Sequence, residues 1–301
     1  MKTRPILRMI CAVCTVVLLL FAFFPLQSPR TDASDWLSSI PDDRPLTDLA
    51  IPGTHDSGAL YSIADVAGKC QSLSIADQLE IGVRFFDIRL QLRGSDLAVV
   101  HSFVDQLTDF DEVLDAMTSF LREHPSEFLL VSIKEDADPT DPTTSFSDAV
   151  ERALADDPDL IRPDRTLPAT TGEARGGMYI IARYADASVG IPAHDGWQDN
   201  TSFALGELYV QDHYAIEDPA DKIRDIEAAF AEAKTTDALT LNFTSCYLTH
   251  GYPPISAAVP AEDILPWLIS YLSDNPDMCG VVICDYMTSE MSETIRRCNE
   301  T

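Results

Sequence analysis

The sequence predicts an α/β fold, a single TIM-type (β/α)8 barrel. Three observations carry this: eight short apolar runs rich in β-branched residues, helical patterns between them, and a body of about 270 residues with no long linker. The runs are Leu49–Pro52, Phe85–Leu90, Leu97–Val100, Phe128–Ile133, Met178–Ala182, Leu208–Val210, Leu239–Phe243 and Val281–Cys284. Most are spaced for a helix or long loop, which favours parallel strands joined by crossovers. After Ser34 there is no low-complexity stretch and no repeat at solenoid period, and Asp136–Thr144 and Asp186–Thr201 read as Pro/Gly/Asp-rich loops.

The clearest helix is Phe110–Arg122, where Phe110, Val113, Leu114, Met117, Phe120 and Leu121 recur on one face behind Thr108 as cap. A second spans about Asp221 to Lys234 with Ile223, Ile226 and Phe230 inward. A third opens at Asp263 with Pro266 in its first turn and presents Leu265, Leu268 and Leu272. These helices would coat a barrel and are assigned no chemistry.

At 301 residues, 46% apolar and 23% charged, collagen-like, coiled-coil and disordered chains are excluded. The net charge of −28 argues against nucleic acid and against electrostatic coating of anionic membranes, so any phosphate must be met by a few bases gathered in a pocket. The N-terminus carries Lys2, Arg4 and Arg8, then the apolar run Met9–Phe24 and Pro25. Residues 1–33 therefore read as an export signal, either a cleaved signal peptide or a retained signal anchor. Residues 34–301 become an extracytoplasmic catalytic body, and removal of the first 30 residues, which hold four bases and no acid, takes the charge to −32. Cys11 and Cys14 belong to the leader; Cys70, Cys246, Cys279, Cys284 and Cys298 are odd in number and read as mainly buried thiols, with or without one bridge, whose pairing spacing does not give. No C-x-x-C or His/Cys cluster in the sequence suggests zinc.

The informative feature is how the apolar runs end. In order they lead to His55 and Asp56, carry Asp87 and Arg89, and end at His101, Lys134, Arg183, Asp212, Asn242 and Asp285. In a parallel barrel such ends converge on the catalytic face; the bland alternative for each residue is a strand meeting solvent. Asp87 and Arg89 share a strand face with Phe85, whereas Phe86, Ile88 and Leu90 share the other. A buried ion costs several kcal/mol unless paired, so these two need partners that histidines or an anion would supply.

Two histidines with aspartates and an arginine suit phosphodiester chemistry. One imidazole takes a proton from an attacking hydroxyl, the other returns one to the leaving alkoxide, and the guanidinium neutralises growing phosphate charge. Ser57 lies in Gly-Thr-His-Asp-Ser-Gly, which is not the nucleophile-elbow pattern. A glycosidase would need two carboxylates across a bond and would leave the histidines idle.

Ile51-Pro-Gly-Thr-His55-Asp56-Ser-Gly58, Gly82-Val-Arg-Phe-Phe-Asp87-Ile-Arg89, His101, Ser132-Ile-Lys134, Ala182-Arg183-Tyr184, Val210-Gln-Asp212-His-Tyr214, Leu241-Asn-Phe-Thr-Ser245 and Cys284-Asp285-Tyr286 follow one another along the chain. In this order the blocks resemble the bacterial phosphatidylinositol-specific phospholipases C, the X-domain family of the PLC-like phosphodiesterases, from about Trp36 to Arg297.

The resemblance implies a distorted, incompletely closed barrel. It also implies attack of the inositol 2-hydroxyl on phosphorus, giving diacylglycerol and inositol 1,2-cyclic phosphate. By the match, His55 is the general base oriented by Asp285, His101 with Asp56 is the general acid, and Arg89 holds the phosphate with Asp87 in support. Lys134, Arg183 and Asp212 bond inositol hydroxyls and Tyr214 stacks on the ring. The arginine implies that no metal is needed; calcium on Asp56, Asp87 and Glu135 is the minor alternative. The implied partners are phosphatidylinositol or a related headgroup and transient contact with a membrane surface, by a monomer.

This chain departs from the family in its tryptophans. Segment 59–73 has none, segment 246–261 offers Tyr247, Leu248, Tyr252 and Ile255 instead, Trp36 and Trp267 read as structural, and Trp197 falls in a loop. Rival functions are a metal-dependent glycerophosphodiester-type phosphodiesterase and a silent headgroup binder. His124, His194, His213 and His250 read as surface or loop residues.

Overall fold

A computed structural model describes residues 32–62, 68–249 and 258–300. The leader with its two cysteines lies outside them, as do residues 63–67 and 250–257 with His250, Tyr252 and Ile255. All eight apolar runs form strands. In chain order the strands are β1 (Ala50–Thr54), β2 (Phe85–Arg93), β3 (Asp96–His101), β4 (Val104–Asp109), β5 (Leu129–Glu135), β6 (Ile161–Arg162) and β7 (Met178–Arg183), followed by β8 (Ile191–Pro192), β9 (Ser202–Leu205), β10 (Leu208–Gln211), β11 (Ala215–Ile216), β12 (Leu239–Phe243), β13 (Tyr247–Leu248) and β14 (Gly280–Cys284).

Eight strands lie side by side and parallel in the order β6, β7, β5, β2, β1, β14, β12, β10. Antiparallel β9 caps one edge, and β9 and β6 do not pair, so the barrel stays open as expected.

Two details correct the expectation. The run Leu97–Val100 is no parallel strand: it returns antiparallel to β2 through Gly94-Ser95, with Gly94 at φ 62°, the positive-φ first position of a two-residue hairpin turn. The eighth parallel strand is instead β6, too short to register as an apolar run.

The helices need smaller corrections. Phe110–Glu123 is capped by Asp109, whose side chain accepts the Glu112 N–H, while Thr108 bonds the Glu112 side chain. The second helix is Pro219–Ala233, capped by Asp218, and Ile223 is only half-buried. The third is Ala258–Asp274, and Ile264 takes the inward place expected of Leu265. Pro266 sits inside that helix, not in its first turn, and on its exposed side. Among the described residues no helix is long and apolar enough to cross a membrane.

Strand alternation explains how the site is placed. One core packs Phe86, Ile88, Leu90, Val131, Ile133, Ile180 and Cys284 outward against the helices. A second fills the barrel with Ile51, Phe85, Leu130, Ile181, Val210, Leu241 and Ile283, and Trp36 and Leu37 join it. Stepping two residues on from these inward positions gives Asp87, Ser132, Arg183, Asp212 and Asp285. Five of the strands thus spend their inward apolar residues on the base of the barrel and deliver a polar one at the top. Cys70, Cys246, Cys279, Cys284 and Cys298 are all free thiols.

Candidate active site

The loop after β1 is stitched to its neighbours by backbone. The His55 N–H donates to the Cys284 carbonyl (3.1 Å) and the Ser57 N–H to the Asp87 carbonyl (2.8 Å). Asp56 turns at φ 42°, a left-handed conformation uncommon for a residue other than glycine. A side chain on Gly58 would meet Val99 Cγ1 at 2.6 Å, so glycine lets the loop lie on β3. Ser57 is buried, accepts the Asp87 N–H and donates to the Thr54 carbonyl, which makes it a structural hydroxyl. Gln71 clamps the other side, its amide donating to the carbonyls of His55 and Cys284 (both 2.8 Å).

His55 Nδ1 lies 2.8 Å from Asp285 Oδ1, and His55 Nε2 lies 2.8 Å from Arg89 Nη2. A carboxylate only accepts and a guanidinium only donates, so the ring is a neutral imidazole protonated on Nδ1 with its Nε2 lone pair on Arg89. Burial lowers the His55 pKa and Asp285 more than offsets it, leaving it above its ordinary value.

Arg89 Nε donates to Asp87 Oδ2 (3.1 Å). Asp87 Oδ1 accepts from Arg183 Nη1 (3.2 Å) and Ser132 Oγ (3.3 Å). Burial would raise the Asp87 carboxyl, but the two guanidiniums hold it well below the usual range. Asp87 thus joins the two arginines, the partners its burial demands.

His101 arrives by the hairpin, not by a parallel strand end. β3 pairs with β2 from Arg93↔Asp96 to Leu90↔Val99, and His101 follows two residues beyond the last pair. Its Nε2 stands 3.7 Å from Asp56 Oδ2, as does Arg89 Nε. Asp56 is fully buried and neither of its carboxylate oxygens has a hydrogen-bond partner. Burial pushes its carboxyl up to about 6, which Arg89 and His101 only partly oppose.

The remaining expected residues gather less evenly. Lys134 Nζ donates to Asp136 Oδ1 (2.6 Å), which also faces Arg89 Nη1 at 3.6 Å. Arg183 reaches Asp212 at 4.0 Å and lies 3.7 Å over the Trp197 ring. Trp197 is therefore part of the wall, edge-on to Phe203 and Phe243. Tyr214 sits two residues beyond Asp212, its hydroxyl donating to Asp199 (2.6 Å) and its ring tilted against Tyr247.

Calcium fits poorly. Alternation turns Glu135 to the face opposite Ser132 and Lys134, and Asp87 is occupied by two guanidiniums. His124 and His213 pair with Asp35 and Asp225, and His194 is exposed beside Asp195.

Sequence reasoning missed Asp136, Cys70, Gln71 and Lys222. Asp136 had a signal, lying two residues past Lys134. Buried Lys222 had none: it donates to Gln211 Oε1 (2.9 Å) and the His213 carbonyl (2.7 Å), propping the end of β10, and burial lowers its pKa to about 8.

The family model "Phosphatidylinositol-specific phospholipase C, X domain" matches residues 43–156. The chain is 28% identical over 267 residues to 1-phosphatidylinositol phosphodiesterase of Staphylococcus aureus (strain Newman), covering 76% of this chain and 84% of that one. It is 23% identical over 289 residues to the Listeria monocytogenes protein of the same name, covering 92% and 88%. The solved F249X mutant of the Staphylococcus aureus phosphatidylinositol-specific phospholipase C superposes with a TM-score of 0.78 at 25% identity, over 87% of this chain and 98% of that one. These matches, with the shared fold, make the chain similar to the phosphatidylinositol-specific phospholipases C over most of its length.

Proposed function

We propose that this chain is an exported phosphodiesterase that cleaves phosphatidylinositol to diacylglycerol and inositol 1,2-cyclic phosphate. The two curated relatives are named for a phosphodiesterase acting on phosphatidylinositol. The observation that carries the mechanism is the Asp285–His55–Arg89 chain, which presents a basic Nε2 lone pair beside a cation.

Arg89 blocks that lone pair while no phosphate is bound. A phosphate entering the cavity draws the guanidinium onto its oxygens, and the inositol 2-hydroxyl takes the vacated place on Nε2. The hydroxyl gives its proton to His55 as it attacks phosphorus, and Asp285 stabilises the imidazolium that forms. His101 and Asp56 share the proton delivered to the departing diacylglycerol oxygen; a carboxyl with a pKa of about 6 suits that task near neutral pH. Arg183, Asp212 and Lys134 bond the ring hydroxyls and Tyr214 packs against the ring. No step calls on a metal.

Membrane contact falls to the rim beside His101, where Phe103 is 81% exposed, Leu107 73% and Tyr61 50%. These residues would take the place of the family's rim tryptophans.

Phosphorus NMR of the product from phosphatidylinositol vesicles, with chelator present, tests the reading. A transient cyclic phosphate is expected. Turnover giving only acyclic phosphate, or turnover abolished by the chelator, would favour the metal-dependent phosphodiesterase instead.

A further inference from the structure

Cys70 stands at the site and takes no part in the reaction above. It is 2% exposed and fixed by its backbone: its N–H donates to the Ala59 carbonyl (2.9 Å) and its carbonyl accepts the Tyr286 N–H (2.7 Å). Its thiol lies within 4.8 Å of two ligand pairs, His55 with Asp285 and Asp56 with His101. The first pair is engaged, since both His55 nitrogens are bonded and one faces the Arg89 cation. The second is open: both Asp56 oxygens and His101 Nδ1 are buried without a hydrogen-bond partner. Unpaired buried polar atoms are costly and call for an explanation.

We propose that Asp56, Cys70 and His101 form a binding site for zinc or a similar thiophilic divalent cation, and that its occupation silences the enzyme. A thiolate, an imidazole and a carboxylate are the donors a borderline-soft ion takes, whereas calcium and magnesium take oxygen. Zinc bonds of about 2.0–2.3 Å bring tetrahedral ligands to separations of about 3.3–3.8 Å, so the three side chains close in by roughly 1 Å and water fills the fourth place. Binding exchanges the Cys70 S–H bond for a zinc–sulfur bond and releases one proton to solvent, with no change of oxidation state. Arg89, 3.7 Å from Asp56, opposes the ion but is itself held by Asp87. Silencing rests on the proton-transfer role proposed for His101 and Asp56; binding does not.

The test titrates the full chain with cobalt(II) and then zinc, reading absorbance and turnover. One equivalent of cobalt should raise a thiolate-to-cobalt charge-transfer band that zinc erases. Cys70→Ser should remove the band and weaken zinc binding roughly tenfold or more. His101→Gln should keep the band at weaker affinity. Absence of the band in the unmodified protein, a measurement that needs no variant to fold, overturns the site, and so does a band that persists in Cys70→Ser. Zinc held through Cys70 with turnover unaffected overturns the silencing. A chain that binds zinc in this way yet never cleaves phosphatidylinositol refutes the proposed activity and leaves the site standing.

Discussion

Two arginines five residues apart, fully buried Arg84 and part-buried Arg89, meet opposite fates. Arg84, at the base of the barrel, spends every N–H. Nε and Nη2 reach Glu127 at 2.9 and 2.8 Å, Nη1 donates to the carbonyls of Leu79 and Val83, and Nη2 also donates to that of Ser34. Arg89, at the top, makes two bonds of ordinary length, to Asp87 and His55, and only longer approaches to Asp56 and Asp136. A saturated network fixes structure, while one with donors and acceptors in reserve is arranged for something to enter.

The largest break should come from the imidazoles. His55→Ala and His101→Ala should each slow turnover by about 10³-fold or more, on the scale of lost general acid–base catalysis, with thermal unfolding near that of the unmodified chain. Near-normal rates in either would remove that residue's assignment.

The arginines sharpen the comparison by crossing it. Arg89→Ala should cost about 10²–10³-fold in turnover and less stability than Arg84→Ala, because Asp87 keeps Arg183. Arg84→Ala should lose about 3–5 kcal/mol, because it strands Glu127 as a buried unpaired charge, and the protein that remains folded should turn over normally. Denaturant unfolding and initial rates on both variants decide the matter, and matching profiles would erase the contrast.

Asp56 gives a smaller, pH-dependent effect. Its folded pKa of about 6 lies above that of an unfolded aspartate, so ionisation favours unfolding. The penalty is absent below about pH 4, grows to about pH 6 and is complete above that, on the order of 1–3 kcal/mol. Asp56→Asn should therefore unfold at a higher temperature than the unmodified chain at pH 7–8 and lose that advantage at pH 4. Equal unfolding temperatures at pH 8 would mean that Arg89 and His101 already neutralise the charge.

The smallest effect concerns the charged shell. A net charge of −28 should repel anionic vesicles, so activity on phosphatidylinositol vesicles should rise a few-fold with moderate salt as the repulsion is screened. A monotonic fall from low salt upward would contradict this.

Much of the barrel and of its polar face was legible because strand alternation is local. Asp87 and Arg89 could be set on one face from spacing alone, and the same spacing announced Arg183 and Asp285. What escaped depends on contacts far along the chain. The hairpin that carries His101 reads as one more apolar run unless Gly94-Ser95 is taken as a two-residue turn. Cys70 reaches His101 and Asp285 only because its backbone bonds to Ala59 and Tyr286, so no spacing could reveal a cluster built from residues 56, 70 and 101. Trp197, read as a loop residue, becomes the floor beneath Arg183 for the same reason.

The protonation state of His55 bears on the mechanism most directly. Nitrogen-15 correlation spectra of the imidazoles at pH 8, without substrate, should show His55 neutral, with the proton on Nδ1 and Nε2 bare. A proton on Nε2 would break the bond to Arg89, leave Asp285 facing a lone pair, and contradict the assignment of this histidine as the base.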